Sequence, residues 1–566
     1  MTLSYRCCVL FMLLAVALAA FPAAVPGAAP VAEPDKVQDA LGRLIATELA
    51  DEHSVCRGRS ICAASTLPVF YERRGFAPAW SRDGTLQEHV TDFVVALAAM
   101  ESQGLRPADY HLYTIRMLLV KYEQVRAKGT SLALQDLVDL DLLLTDAFFL
   151  YGSHLLAGRI NPETIDERWS AGEYGTDLAA ILEEALVAPA GVTGALPGLR
   201  PPHTAYRRLM EALAAMRTLV DQGGWPVVGD GTYLHKGIRH RRVYALRQRL
   251  MISGDYEERD ARPGNFFDDK LNGALRRFQA RHGLIVDGII GPKTLAALNV
   301  PAESRLRQIK ANLERWRWAP RDLGRRYILV NIADFTLRLV EDGRQVLQSR
   351  VVVGSPHRST PVFSDQVEYL VFNPYWHLPE SIIVEDVAPK VIADPDYLAR
   401  KGIKVFAKGS AEEQQVSPAA IEWQALRPGN VPYRLRQEPG PANALGRVKV
   451  LFPNKFSIYL HDTPRQELFQ KNARGFSSGC IRVEDVVGLA SYLLQDDPRW
   501  NRQRVMAAME DGRRQYVALA EQVPIHILYQ TAWADGDGTL HFRGDIYGRD
   551  ERLAAALDGR AVLPAR

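Results

Sequence analysis

The hydrophobic positions change period along the chain, and the changes divide it. From residue 35 to about 235, apolar residues recur at helical spacing. Leu134 to Leu156 reads as one long helix ending near Gly158, and Tyr206 to Val220 as another, with Pro201-Pro202 as punctuation. Asp139, Asp141, Asp146 and His154 interrupt the apolar run 137–156, which fits a buried amphipathic helix better than a membrane span. Over 236–301 the helices shorten. Val243 to Leu250 forms one; Leu271, Leu275 and Phe278 share a face of the next, which Gly283 caps. Asp287-Gly288 is a turn and Pro292 opens a further helix. Three small helices suit a binding module. Glu303 to Trp318 is a connecting helix.

The period then becomes two. Ile328, Val330 and Ile332 alternate with other residues; Thr336 to Val340, the turn Glu341-Asp342-Gly343 and Gln345 to Val353 read as a hairpin. Strand patterns return at Glu368–Phe372, Val448–Phe452 and Ser457–His461. The expected fold is multidomain α+β: a helical scaffold over 61–235, a three-helix module over 236–301, a connecting helix over 302–325, a mainly antiparallel β domain over 326–550 and a tail over 551–566. A polar, Gly/Pro-containing insertion at about 394–443 is either a lid or a tolerated surface excursion.

The length of 566 residues allows about three to five domains. A net charge of +3 gives no concentrated basic footprint, so nucleic acid is not an expected partner. Arg6, the apolar run Val9 to Ala20 and the small-x-small site Ala17-Leu18-Ala19 predict a signal peptide over 1–20, with a linker segment to 60. The alternative is an uncleaved anchor. Cys7 and Cys8 precede the apolar run. An exported compartment is oxidising, so Cys56 and Cys62 are expected to pair as a disulfide rather than to hold a metal. Cys480 is then the odd thiol.

That thiol carries the candidate chemistry. His461 ends a strand; 19 positions later comes Cys480, within Gly475-Phe476-Ser477-Ser478-Gly479-Cys480-Ile481-Arg482. A free cysteine has a pKa of roughly 8.5 and must become a thiolate to attack a carbonyl. A nearby imidazole and a helix N-terminus just after Cys480 are the two expected means. Gly479 permits a tight bend that aims the N–H groups of Cys480 and Gly479 at a developing oxyanion. Arg482 either orients a substrate carboxylate or pins the loop. Tyr459 shares His461's strand face and either borders the oxyanion site or packs. His357 and His377 lack ligand-spaced companions, so no metal is expected.

This segment resembles the active-site signature of the L,D-transpeptidase (YkuD-like) family at His461, Ser477, Gly479, Cys480 and Arg482. It departs at Ser478, where many members carry a second histidine. His461-Asp462-Thr463-Pro464, Asn373 to Pro379, Gly354 to Pro361, Thr531-Ala532-Trp533 and Asp545 to Asp550 resemble the large multidomain Gram-negative (YcbB-like) subgroup. So do the scaffold residues Phe70-Tyr71, Phe76 to Trp80 and Gly158-Arg159. Leu275, Phe278-Gln279, Gly283-Leu284, Val286-Asp287-Gly288, Gly291 and Thr294-Leu295 resemble a peptidoglycan-binding domain.

The resemblance implies an enzyme of the periplasm of a Gram-negative bacterium, membrane- or wall-associated or free. Its donor would be a stem tetrapeptide and its acceptor a diaminopimelate amine. Cys480 would be the nucleophile and His461 the base that shuttles protons. No cofactor would be needed, the module over 236–301 would bind peptidoglycan, and carbapenem-type β-lactams would acylate the thiol. Release of the acyl-enzyme by water (an L,D-carboxypeptidase) or by a protein amine (a wall anchor) stays open. So does a non-catalytic wall-binding scaffold.

Overall fold

The computed structural model describes residues 34–48, 55–56, 59–60, 63, 65–169, 175–257, 264–409 and 414–559. The expected signal peptide over 1–20, most of the linker and the Cys56–Cys62 pairing rest on residues outside these, as does the end of the tail. The described residues form two compact units, one within 34–94 with 111–146 and one within 95–110 with 147–559.

In the first unit, the acidic positions that break the long apolar run prove to be buried and bonded. Asp141 accepts from the Tyr71 hydroxyl (2.6 Å) and from the Trp80 backbone N–H (2.9 Å). Asp146 accepts from the Ala63 N–H (2.7 Å) and pairs with His111 (2.6 Å). Buried charge is tolerated only with such partners. The helix concerned, Leu134–Ala157, is long and apolar enough by composition to cross a membrane, but 78% of its most apolar window is buried.

The second unit is helical at its start and β-rich at its end. Helix Thr204–Asp221 buries Tyr206, Leu209 and Leu213 in one core with Ile309, Leu313 and Trp316 of helix Ala302–Trp318. The three-helix module follows at Arg242–Ile252, Asp269–Arg281 and Pro292–Leu298, with Val243, Leu246, Leu271, Leu275 and Phe278 fully buried in its own core. Its Asp287-Gly288 turn is held from the helix: the Gln279 side chain accepts from the Gly288 N–H and donates to Asp287, both at 2.8 Å.

The β-rich part consists of β1 (Arg326–Asn331), β2 (Thr336–Glu341), β3 (Arg344–Gly354), β4 (Phe363–Phe372), β5 (Trp376–His377), β6 (Ile403–Ala407), β7 (Tyr433–Gln437), β8 (Val448–Leu451), β9 (Leu460–His461), β10 (Gly475–Ser477), β11 (Ile481–Val483) and β12 (Gln515–Leu528). The β2–β3 turn places Asp342 and Gly343 at φ 49° and 74°, the two left-handed positions of a tight hairpin. The main sheet runs β10-β3-β11-β9-β8-β4-β12-β1-β2, and β2 also pairs with β3, so the sheet closes on itself. Pairing is mostly antiparallel; β9–β11, β10–β3 and β12–β1 are parallel. Closure leaves fewer open edges. The interior is apolar, with Ile328, Val330, Leu370, Val450, Leu460 and Ile481 each at 0% exposure.

Between β4 and β8 the chain builds a separate three-stranded sheet in the order β6-β7-β5, over a core that includes Leu378, Ile383, Val405, Trp423 and Leu435. The excursion read at about 394–443 therefore belongs to a folded subdomain that already begins at Trp376.

Candidate active site

Strand register assembles the site. In the parallel β9–β11 pair, Leu460 faces Ile481 and His461 faces Arg482. Because alternate side chains point to opposite faces, Leu460 and Ile481 enter the core. Tyr459 and His461 then share the other face with Cys480 and Arg482. The next strand adds one more group, since β8 pairs with β9 with Lys449 opposite His461.

Cys480 is half-buried, and its Sγ lies 3.9 Å from the Ser457 carbonyl oxygen. Burial raises the thiol pKa; hydrogen bonds from the backbone and hydroxyl of Tyr459 oppose this, followed by the charges of Lys449 and Arg482. Tyr459 is itself held well above the usual tyrosine value, first by burial and then by the thiol's charge. Its ring lies edge-on to His461, with centroids 5.7 Å apart.

His461 is buried, and Nδ1 meets the Asp462 carbonyl oxygen at 2.5 Å. A carbonyl only accepts, so Nδ1 carries the proton and Nε2 the lone pair. Burial, reinforced by the Arg482 charge, lowers its pKa to about 3, so the imidazole is neutral at ordinary pH. Among the described residues no hydrogen bond links it to the Cys480 thiol.

Burial likewise depresses His154 to about 3 and His203 to about 4. The unfolded chain would bind these protons near pH 6.5 while the folded one would not, so stability rises with pH across that interval. It is complete above about 6.5 and is lost as pH falls toward 3–4. Urea midpoints measured at pH 7.5, 6 and 4.5 are expected to fall in that order, with a total loss on the order of a few kcal/mol.

The turn before Cys480 is fastened from three sides. Gly479 sits at φ +117°, where a Cβ would lie 3.3 Å from Ile458. Its N–H donates to Ser477 Oγ (3.1 Å), and that hydroxyl donates to the Cys480 carbonyl (2.5 Å). Thr360 donates to the Gly479 carbonyl (2.7 Å) and accepts from the Gly354 N–H (2.9 Å). Tyr547 donates to the Gly354 carbonyl (2.7 Å). Ser478, where the signature commonly has histidine, accepts from Arg358 (2.9 Å), which also pairs with Glu385 and Asp386 of the small subdomain. Thr360→Val strands the Gly354 N–H and the Gly479 carbonyl in a buried setting. The expected loss is about 1–3 kcal/mol for each unpaired group, read as a lower unfolding midpoint than that of wild type.

One expectation is corrected. No helix begins just after Cys480. Ile481 and Val483 are β-branched and buried, and β11 pairs with both β9 and β3. The helix starts at Val486, capped by Asp485, which accepts from the Gly488 N–H (2.9 Å). Helix-dipole support for the thiolate is therefore absent; the strand register supplies its neighbours.

Sequence reasoning also missed groups that the fold brings in. Lys449 places Nζ 3.8 Å from the Tyr459 ring centroid, and the Trp376 side chain hydrogen-bonds Tyr459. Thr360 and Tyr547 lie in stretches singled out by resemblance, but without a role. His357 and His377 gather no metal set, and among the described residues no cluster of three or more His, Cys, Asp or Glu is placed to hold a metal ion.

The site lies in residues 325–513, which match the family described as the L,D-transpeptidase catalytic domain. Residues 239–298 match the "Putative peptidoglycan binding domain" and residues 65–213 the "Scaffold domain". The chain thus carries an L,D-transpeptidase catalytic domain together with a peptidoglycan-binding domain and a helical scaffold. Over 229 residues it is 36% identical to a Haemophilus influenzae protein named "Putative L,D-transpeptidase", covering 40% of this chain and 45% of that one. Over 76 residues it is 40% identical to N-acetylmuramoyl-L-alanine amidase CwlM of Mycobacterium tuberculosis, 12% of this chain and 19% of that one. The chain spans less than half the length of these curated relatives. Among solved structures, an L,D-transpeptidase from Xylanimonas cellulosilytica shares 15% identity over 53% of this chain and 98% of its own, with a TM-score of 0.17. So low a score carries no argument about the fold.

Proposed function

We propose that this protein is an exported, periplasmic L,D-transpeptidase that cross-links the third (diaminopimelate) residues of peptidoglycan stem peptides through a thioester on Cys480. The observation that carries the reading is the shared face of β9 and β11. It puts a half-buried thiol, hydrogen-bonded by Tyr459, on the same surface as a neutral imidazole whose Nδ1 is committed to a carbonyl. The adjoining peptidoglycan-binding domain supports a cell-wall substrate.

The Cys480 thiol attacks the carbonyl of the donor's third residue as its proton passes to His461 Nε2. The Cys480 N–H stabilises the oxyanion, since Ser477 already takes the Gly479 N–H. As the tetrahedral intermediate collapses, the C–N bond breaks and His461 returns the proton to the departing D-alanine amine, leaving the thioester. A diaminopimelate side-chain amine then attacks the thioester, His461 accepts its proton, and that proton passes to the sulfur as the C–S bond breaks, restoring the thiol. Arg482, beside His461, favours the neutral imidazole that can accept that proton. β-Lactams of carbapenem type would enter by the same first attack and remain as a stable acyl group.

The test is incubation of the full chain with disaccharide-tetrapeptide, followed by product mass. Cross-linked dimer is the expected product. Tripeptide alone would move the assignment to a carboxypeptidase, and unchanged substrate would count against any activity on these stems.

A further inference from the structure

We propose that Lys449 is the positioning charge for Cys480: its ammonium, seated on the Tyr459 ring, stabilises the negative charge that the sulfur gains as the catalytic thiol gives up its proton. The inference rests on the reading of Cys480 as nucleophile and adds a residue that the signature does not contain.

Three observations converge. First, Lys449 faces the site by register, because β8 pairs it with His461, and its strand neighbours Val448 and Val450 are fully buried in the core. Second, its Nζ lies 3.8 Å from the centroid of the Tyr459 ring, and the Tyr459 hydroxyl reaches Cys480. A cation over an aromatic face is fixed in place by the ring's quadrupole. Third, Lys449 is half-buried, and among the described residues no carboxylate lies within ion-pair distance of it. A desolvated ammonium without a counter-charge is costly. Burial and the like charge of Arg514 lower its pKa, and the one opposing influence is the Cys480 thiolate.

The histidine does not supply this charge. Held at a pKa of about 3, His461 is neutral when the thiol ionises, so a resting thiolate–imidazolium pair does not form. The charged and titratable groups on the sulfur's face are Tyr459, just before β9, His461 of β9, Lys449 of β8 and Arg482 of β11, and His377 of β5 also feels the lysine's charge. Arg514, just before β12, acts on the lysine. Lys449 ranks ahead of Arg482 in its pull on the thiol. Division of labour follows: the lysine favours the thiolate, and the neutral imidazole remains free to move protons.

The experiment is the pH dependence of Cys480 alkylation by iodoacetamide, read at that residue by peptide mass. Lys449→Met is expected to move the midpoint upward by about one unit, making alkylation at pH 7 about tenfold slower. Lys449→Arg is expected to keep the wild-type midpoint, and Lys449→Gln serves if the methionine variant does not fold. Identical titration of wild type and the neutral variants overturns the proposal. So does a raised KM for the donor with an unmoved thiol titration, which would make Lys449 a substrate-carboxylate site instead. Alkylation needs no peptidoglycan, so this result is independent of which product the enzyme makes.

Discussion

Cys480→Ala is expected to abolish cross-linked product while leaving the protein folded. The proposed thioester has no other candidate nucleophile among the described residues of the β9–β11 face: Tyr459 is held far above neutral by burial, and His461 has its Nδ1 engaged. Removing a covalent nucleophile costs on the order of 10⁴-fold or more in turnover. The structural cost is small, because the sulfur's hydrogen bonding is confined to Tyr459 and a long 3.9 Å approach to Ser457, on a half-buried side chain. The unfolding midpoint should shift by no more than about 1 kcal/mol. Two measurements check this together: dimer formation from tetrapeptide, and a carbapenem adduct mapped to the peptide containing residue 480. Persistent dimer in the variant would remove Cys480 from the mechanism. A lost adduct in a protein that melts like wild type is the expected pairing.

Much of this site could be read from the sequence, for local reasons. The Ser477-Ser478-Gly479-Cys480 turn and the strand ending at His461 are short, and their chemistry depends on residue types at fixed spacing. Alternation at Ile328 and Val330 and the Asp342-Gly343 turn marked strands correctly because one face is buried. What stayed hidden depends on register between distant segments. Lys449, between Val448 and Val450, reads as an ordinary solvent-facing lysine until β8 is aligned with β9. Closure of the sheet through β2–β3 pairs residues whose strands also pair elsewhere, which no local pattern announces. The helix expected after Cys480 failed for a visible reason: Ile481 and Val483 have strand propensity, and the helical pattern begins only at Val486. The small subdomain from Trp376 to Gln437 looked loose because its apolar residues, such as Leu378, Val405 and Leu435, are widely spaced and meet only in the folded core.

The second large effect is expected at a residue that touches no substrate. Gly354→Ala should destabilise the β domain by about 3 kcal/mol or more and slow acylation of Cys480 by about 100-fold. A Cβ at this position would lie 2.1 Å from the Arg358 carbonyl oxygen and 2.7 Å from the Thr360 nitrogen. Both are backbone atoms, so no side chain can swing aside to relieve the clash. The turn 354–361 has to open, and Thr360 leaves the Gly479 carbonyl that it holds at 2.7 Å. Tyr547 loses its acceptor on Gly354 in the same movement. The peptide that aims the Cys480 N–H is then held by Ser477 alone, and an error of an ångström in that aim is enough to disable oxyanion binding. Gly544→Ala is the matched control: a Cβ there meets nothing within 4 Å, so its stability should stay within about 0.5 kcal/mol of wild type. Denaturant midpoints and the rate of carbapenem acylation, compared across the two variants, decide the matter. If Gly354→Ala keeps the wild-type acylation rate, the Thr360 clamp does not aim Cys480, and the turn must be held by Ser477 without help from the 354–361 loop.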